Sequence, residues 1–353
     1  MKKAESGAGQ VGCSIRALAF AACTTFVLGI FTQSFFVFPL PFFGKGAAEQ
    51  TTLIRQAPDK QYPLISPLLM VDVAASEQSE ELSSLRSEFE SLIATQRKNG
   101  DINSASIFFR NFTDGQWVSI NPNAHYSPAS LLKIPLMVAI FKEAQTHPGF
   151  LQREVFYDGS FDLNALEGLF TPSHPFTSGQ SYTIEELVRH MVEYSDNNAV
   201  YLLSQRIDSN EENEVYTDLG LSIPPQTTNM TVDFMTVKNY ASFFRVLYSS
   251  TYLTREYSEK ALEFLSQSDF VSGIRGGVPD EVKVANKFGE RTQYDASGKA
   301  VEQELHDCGI VYDAADPYLL CVMTKAPTSD GAAQFIRAIS KTAYDFVTSQ
   351  RGL

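Results

Sequence analysis

A chain of 353 residues with 44% hydrophobic and 12% aromatic content holds one large or two ordinary domains around a sizeable core. Its net charge of −13 argues against nucleic acid as a partner, because binding to a phosphate backbone needs a basic face. Four cysteines without C-x-x-C spacing support neither a disulfide scaffold nor a zinc site, and no motif calls for a metal or another cofactor.

Residues 1–16, "MKKAESGAGQVGCSIR", carry Lys2, Lys3 and Arg16 against one acid, Glu5. Residues 17–43 follow without a charge, and roughly 27 apolar-rich residues exceed the ~20 that span a bilayer. The expectation is a transmembrane signal anchor with residues 1–16 in the cytoplasm; the alternative is a cleaved signal ending near "GKGAAEQ". Both readings place the remainder outside the cytoplasm, on the periplasmic or extracellular side. Residues 44–77 mix Pro, Ala and polar residues without a period and read as a linker.

From about residue 79 the spacing predicts a helix with Leu82, Leu85, Phe89, Leu92 and Ile93 on one face, stopped by Asn99-Gly100. "SASIFFRNFTDGQWVSIN" predicts a hairpin in which Ala105, Ile107 and Phe109 alternate before a Thr-Asp-Gly turn. A helix is predicted through "YSPASLLKIPLMVAIFKEA", residues 126–144, and residues 150–250 read as mostly helical. Within them, "TIEELVRHMVEY" opens with Thr183 and Glu186 in capping-box spacing and runs into Ser195-Asp196-Asn197. Three strands follow, "VKVANKFGE", "ELHDCGIVY" and "YLLCVMTK". If Tyr312 pairs with Pro317, Cys308 faces Cys321, as a cross-strand disulfide in an oxidising compartment or as two buried thiols. A last helix from about 331 presents Phe335, Ile336, Ile339, Ala343, Phe346 and Val347. The predicted fold is α+β over residues 78–350: an antiparallel sheet flanked by N- and C-terminal helices, with an inserted all-helical subdomain at about 146–254. A cleft between sheet and helices is the expected place for a site.

Three short stretches carry chemistry-bearing residues. Ser130 and Lys133, three apart on a helix, share a face. Burial disfavours an ammonium, so a lysine among apolar neighbours can serve as the base that a serine nucleophile needs. Taken alone, the pair also reads as a helix-capping serine and a lysine reaching for water. Ser195-Asp196-Asn197 offers a hydroxyl and an amide, or simply a turn at a helix end. Lys287 lies in an apolar strand followed by Phe288 and Gly289; it reads as a strand-edge guard, or as a site where Gly289 lets a ligand approach the backbone.

In this order and at these separations, the three stretches resemble the S-x-x-K, S-D-N and K-T-G signature of class A β-lactamases and the related penicillin-binding serine hydrolases. The resemblance covers roughly residues 80–350 and extends to "IRGGVPDEVKVANKFG", similar to that family's approach to its third motif. It implies that Ser130 is the nucleophile that forms an acyl-enzyme and Lys133 its base. It further implies that Ser195 relays a proton to the leaving nitrogen and that Asn197 binds a substrate amide. Lys287 would supply positive charge near the substrate carboxylate, and Phe288, Gly289 and Glu290 would line the same substrate-binding strand. The backbone N–H groups of Ser130 and Glu290 would form the oxyanion hole.

The chain departs from that pattern twice. Phe288 stands where the family has a Thr or Ser hydroxyl. The segment from Tyr216 to Val237 lacks the E-x-x-L-N glutamate that activates the deacylating water, and Asp218 and Asp233 are its only carboxylates. Asp233 is a candidate for that role. His306 and Asp307 offer further polar groups to the cleft, or a surface histidine and a turn-bracing acid; Tyr126, Tyr194 and Tyr201 read as packing. The resemblance implies a serine hydrolase that acylates Ser130 and cleaves the amide of a β-lactam. A membrane-anchored D-Ala-D-Ala peptidase with slow deacylation, acting on cell-wall peptide, is the alternative that the missing glutamate favours. A non-catalytic envelope-binding protein is a third reading, disfavoured by intact Ser130, Lys133, Ser195 and Asn197.

Overall fold

The computed structural model describes residues 61–66, 80–167, 171–221, 233–313 and 316–350, all within one unit, Leu53–Leu353. The expected cytoplasmic segment, the expected anchor at 17–43 and most of the expected linker lie outside the described residues. Among the described residues no helix is long and apolar enough to cross a membrane.

A 3-10 turn, Glu80–Leu82, leads into α1 (Ser83–Asn99), which ends where Gly100 takes the left-handed conformation, φ 83°. Strands β1 (Ser104–Asn111) and β2 (Trp117–Ile120) form the predicted hairpin. A 3-10 turn, Ala129–Leu132, feeds α2 (Lys133–Thr146), followed by β3 (Glu154–Tyr157), α3 (Asn164–Glu167) and β4 (Gln180–Thr183). Next come α4 (Ile184–Glu193), α5 (Asn197–Ser204), α6 (Ser209–Asp218), α7 (Val237–Tyr248) and α8 (Arg255–Ser266). After a 3-10 turn, Ile274–Gly277, the chain closes with β5 (Lys283–Tyr294), β6 (Ala300–Tyr312), β7 (Tyr318–Ala326) and α9 (Ser329–Ser349).

The sheet is antiparallel throughout, in the order β2-β1-β7-β6-β5, and it is covered on both faces. One face sets Ile107, Phe109, Val322 and Phe288 against Leu85 and Phe89 of α1 and Phe335 and Ile336 of α9. The other sets Phe108, Ala285, Cys308 and Cys321 against α2, α4, α7 and α8. The α+β layout is therefore the predicted one. The alternation of Ala105, Ile107 and Phe109 marks only one side of β1, because Ala105 to Arg110 is buried on both.

Three features differ from the sequence expectation. The region read as mostly helical contains a separate small sheet, β3 with β4. Each strand is four residues long, and their pairing spans more than twenty residues, so no local pattern announces it. Residues 61–66, within the expected linker, lie against the domain: the Glu259 carboxylate accepts from the N–H groups of Leu64 and Ile65 at 2.9–3.1 Å, and Tyr312 Oη donates to Leu64 O. Finally, the S-D-N stretch joins two helices: Asp196 caps α5, accepting from Ala199 N–H at 2.9 Å, and Asn197 is the first residue of α5.

Candidate active site

Ser130 sits in the 3-10 turn at the head of α2, and Lys133 is the first residue of that helix. Ile134 to Phe141 are all buried, so Lys133, 5% exposed, projects from an apolar rod. Its Nζ meets Ser130 Oγ at 2.9 Å, Ser195 O at 2.6 Å, Ser195 Oγ at 3.0 Å and Asn197 Oδ1 at 2.6 Å. An ammonium has only three N–H bonds for these four oxygens. The lysine thus ties the first motif to the second, and the snorkelling reading is excluded.

Two non-glycine residues in this pair of motifs adopt left-handed backbone, Ala129 (φ 46°) just before the serine and Ser195 itself (φ 55°). Such conformations persist where surrounding contacts enforce them, and they cluster at functional sites. Here the enforcing contacts are the capped start of α5 on one side and the close approach of β5 on the other.

Lys287 reaches the same point from the sheet. It is fully buried, and its Nζ donates to Ser195 Oγ at 2.9 Å and to Phe288 O at 3.2 Å. Burial, reinforced by the nearby charge of Lys133, holds its pKa well below the usual lysine range, against the pull of Asp307, Asp269 and Glu290. Ser195 Oγ therefore lies between two lysine nitrogens, an arrangement suited to moving a proton. The edge-guard reading of Lys287 fails because the side chain sits inside the fold.

The residues after Lys287 occupy distinct places. Phe288 is 1% exposed, with its ring stacked on Phe270 at 4.2 Å and the Lys287 Nζ over it at 4.2 Å from the ring centroid. A Cβ at Gly289 would lie 2.9 Å from Leu131 Cγ and 3.0 Å from Pro128 O. This glycine thus admits the chain's own nucleophile turn, where the sequence suggested a ligand. Glu290 is half-buried on β5, the edge strand of the sheet.

Asp233, the candidate water activator, has Oδ1 on Arg291 (3.3 Å) and Oδ2 on Lys325. With both oxygens committed to cations, it is poorly placed to act as a base. Asp218 accepts from Tyr252 Oη at the end of α6. Residues 222–232 lie outside the described residues. His306 is fully buried, which overturns its surface reading; Asp307, also fully buried, accepts from Ile274 N–H at 2.8 Å at the head of the 3-10 turn, as a turn-bracing acid does. Tyr126 is packed as expected, whereas Tyr201 is 45% exposed against Phe161.

Sequence reasoning missed Asn164, whose Oδ1 accepts from Asn197 N–H at 2.7 Å. It also missed Glu304, which reaches the backbone just before Ser130. Asn164 carries no local signal; Glu304 shares a strand face with Lys287 once the hairpin register is counted. Cys308 and Cys321 form a disulfide, and Cys308 pairs directly with Lys287 across β5 and β6. Among the described residues no three of His, Cys, Asp and Glu group as a metal site.

The fold agrees with comparisons to known proteins. Residues 84–347 match the family described as the beta-lactamase enzyme family, well over half of the chain. PBP-A, solved as an acyl-enzyme complex of a mutant with penicillin G, shares 18% identity at a TM-score of 0.61, over 76% of this chain and 97% of its own. A class A beta-lactamase from Mycobacterium abscessus shares 18% (TM-score 0.60, 73% and 98% covered). A beta-lactamase from Sphaerobacter thermophilus shares 21% (TM-score 0.60, 73% and 95% covered). At these identities the structural likeness is one of fold. No curated protein matches the sequence. The chain belongs to the beta-lactamase enzyme family and is a serine hydrolase of that type.

Proposed function

We propose that Ser130 attacks a β-lactam, or the amide of a D-Ala-D-Ala-like cell-wall peptide, and is left as a long-lived acyl-enzyme. The observation that carries this reading is the Lys133 Nζ contact to both Ser130 Oγ (2.9 Å) and Ser195 Oγ (3.0 Å), with Lys287 on the far side of Ser195. In the forward step Ser130 Oγ bonds to the carbonyl carbon while its proton passes to Lys133 Nζ. The oxyanion is held by the N–H groups of Ser130 and Glu290, donors on a turn and an edge strand packed against each other. Ser195 Oγ gives its proton to the leaving nitrogen as the C–N bond breaks and takes one back from Lys133. Asn197 orients the substrate amide, and Lys287 lends its charge to the substrate carboxylate. Phe288, its ring turned into packing, supplies no hydroxyl there.

Deacylation needs a base for water. The segment from Tyr216 to Val237 contains no glutamate, and Asp233 is held between Arg291 and Lys325. This favours penicillin-binding behaviour with slow release over rapid β-lactam turnover. Family membership favours turnover as the second reading. Penicillin G labelling of Ser130, followed in time by intact mass, separates the two.

The domain is further proposed to stand outside the cytoplasm on an N-terminal anchor at 17–43. The charged flank at Lys2, Lys3 and Arg16 and the Cys308–Cys321 disulfide both support this placement.

A further inference from the structure

The turn that carries Ser130 is gripped three residues upstream, at Ser127, by two side chains of β6. Glu304 Oε2 accepts from Ser127 N–H at 2.9 Å. His306 Nε2 lies 3.0 Å from Ser127 O, and His306 Nδ1 accepts from Thr324 N–H at 3.2 Å. With Nδ1 acting as an acceptor, the ring proton sits on Nε2 and is donated to the Ser127 carbonyl. Both backbone polar groups of one residue are thus satisfied by neighbours two apart on a single strand.

The two side chains also support each other. His306 Nε2 is 3.4 Å from Glu304 Oε2, and Glu304 Oε1 is 3.4 Å from Arg291 Nη1. His306 is fully buried, edge-on to the Tyr126 ring at 5.4 Å, and Glu304 is 4% exposed. Burial works against the Glu304 charge, but nearby His306, the Ser127 N–H and the charge of Lys325 outweigh it and hold the carboxyl below its usual range. The grip acts where the backbone is strained, because Ala129 at φ 46° separates Ser127 and Pro128 from the nucleophile. Gly289, paired with His306 across the strands, brings β5 against Pro128 and Leu131 from the other side.

We propose that Glu304 and His306 are positioning residues for the nucleophile: they fix Ser127 so that the strained turn holds Ser130 Oγ on Lys133 Nζ. This inference rests on Ser130 being the acylated residue. Neither side chain touches substrate; each acts through the backbone of the turn, and a misplacement of about 1 Å costs roughly 100-fold in such a step.

The test uses stopped-flow acylation by a chromogenic β-lactam, which resolves the acylation rate constant and the affinity of the initial non-covalent complex as two separate quantities. His306→Ala and Glu304→Ala are expected to lose roughly 100-fold in the acylation constant with little change in initial binding. His306→Gln and Glu304→Gln keep a donor and an acceptor at the same reach and are expected to recover most of the rate. Ile339→Ala, in the α9 core far from the turn, serves as a control for destabilisation alone. Hydrogen exchange over 126–130 is read in parallel and should quicken in the two alanine variants only. Alanine variants that acylate no more slowly than Ile339→Ala, or conservative variants that fail to recover, overturn the proposal. A wild-type protein that no β-lactam labels overturns the acylation reading itself and leaves the grip on Ser127 to be judged by exchange.

Discussion

Phe288 replaces the hydroxyl of the family's third motif, and its surroundings give the reason. The ring is buried between β5 and the loop carrying Phe270, a stack that a threonine cannot fill. Phe288→Thr is therefore expected to cost about 3 kcal/mol, seen as a lower urea midpoint, through the cavity it opens; an unchanged midpoint would show that the ring is dispensable. Asp307, across the strand from Phe288, is a second buried departure from ordinary chemistry. Burial raises its carboxyl to about 6, against hydrogen bonds from Asn286 Nδ2 and Ile274 N–H and the charge of Lys287. A raised value means that the folded state holds the proton more tightly than the unfolded chain. Its contribution to stability is complete below the unfolded value of 3.8 and is lost as pH rises through about 6. Relative to Asp307→Asn, the wild type should lose on the order of 3 kcal/mol between about pH 4 and pH 7.5. A difference that stays constant with pH contradicts this.

At the scale of elements, the site is an encounter between an edge strand and a helix head. Strand β5 comes close to the Ala129–Leu132 turn because Gly289 has no side chain; a Cβ there would be 3.2 Å from Leu131 N as well as crowding Pro128 O. Gly289→Ala should force the two apart and slow acylation roughly 10- to 100-fold while lowering stability by only about 1–3 kcal/mol. Wild-type acylation in that variant would mean that the approach of β5 is not required. Elements with local signals were legible in the sequence. Thr183 and Glu186 form the capping box that their spacing announces, and counting from Tyr312 to Pro317 pairs Cys308 with Cys321 correctly. What escaped depends on contacts distant in the chain. The strands β3 and β4 are too short to show a period, Leu64 docks on Glu259 nearly two hundred residues away, and Asn164 meets Asn197 only through folding. Glu304 and His306 lie between these extremes. Their alternation with Cys308 puts all three on the Lys287 side of β6, a reading available once the hairpin register is counted but invisible to a motif.

For the whole molecule, two cores meet at one sheet. The helical block presents Lys133, Ser195 and Asn197 and the sheet presents Lys287; Lys133 Nζ joins the Ser130 and Ser195 hydroxyls and Asn197, and Lys287 meets the Ser195 hydroxyl as well. In the proposed reaction these groups carry the first half of an acyl transfer. The second half lacks its usual glutamate in the sequence, and the candidate Asp233 is neutralised by two cations. The proposed enzyme thus forms an acyl group much faster than it loses one. This difference in rate is tested most directly by mixing a soluble form from about residue 61 onward with penicillin G and following intact mass over time, with Ser130→Ala as the control. A penicillin-sized adduct is expected on the wild type, persisting for hours, with none on Ser130→Ala. An adduct that clears within seconds while penicillin is consumed, or no adduct under any condition, would contradict the proposed function.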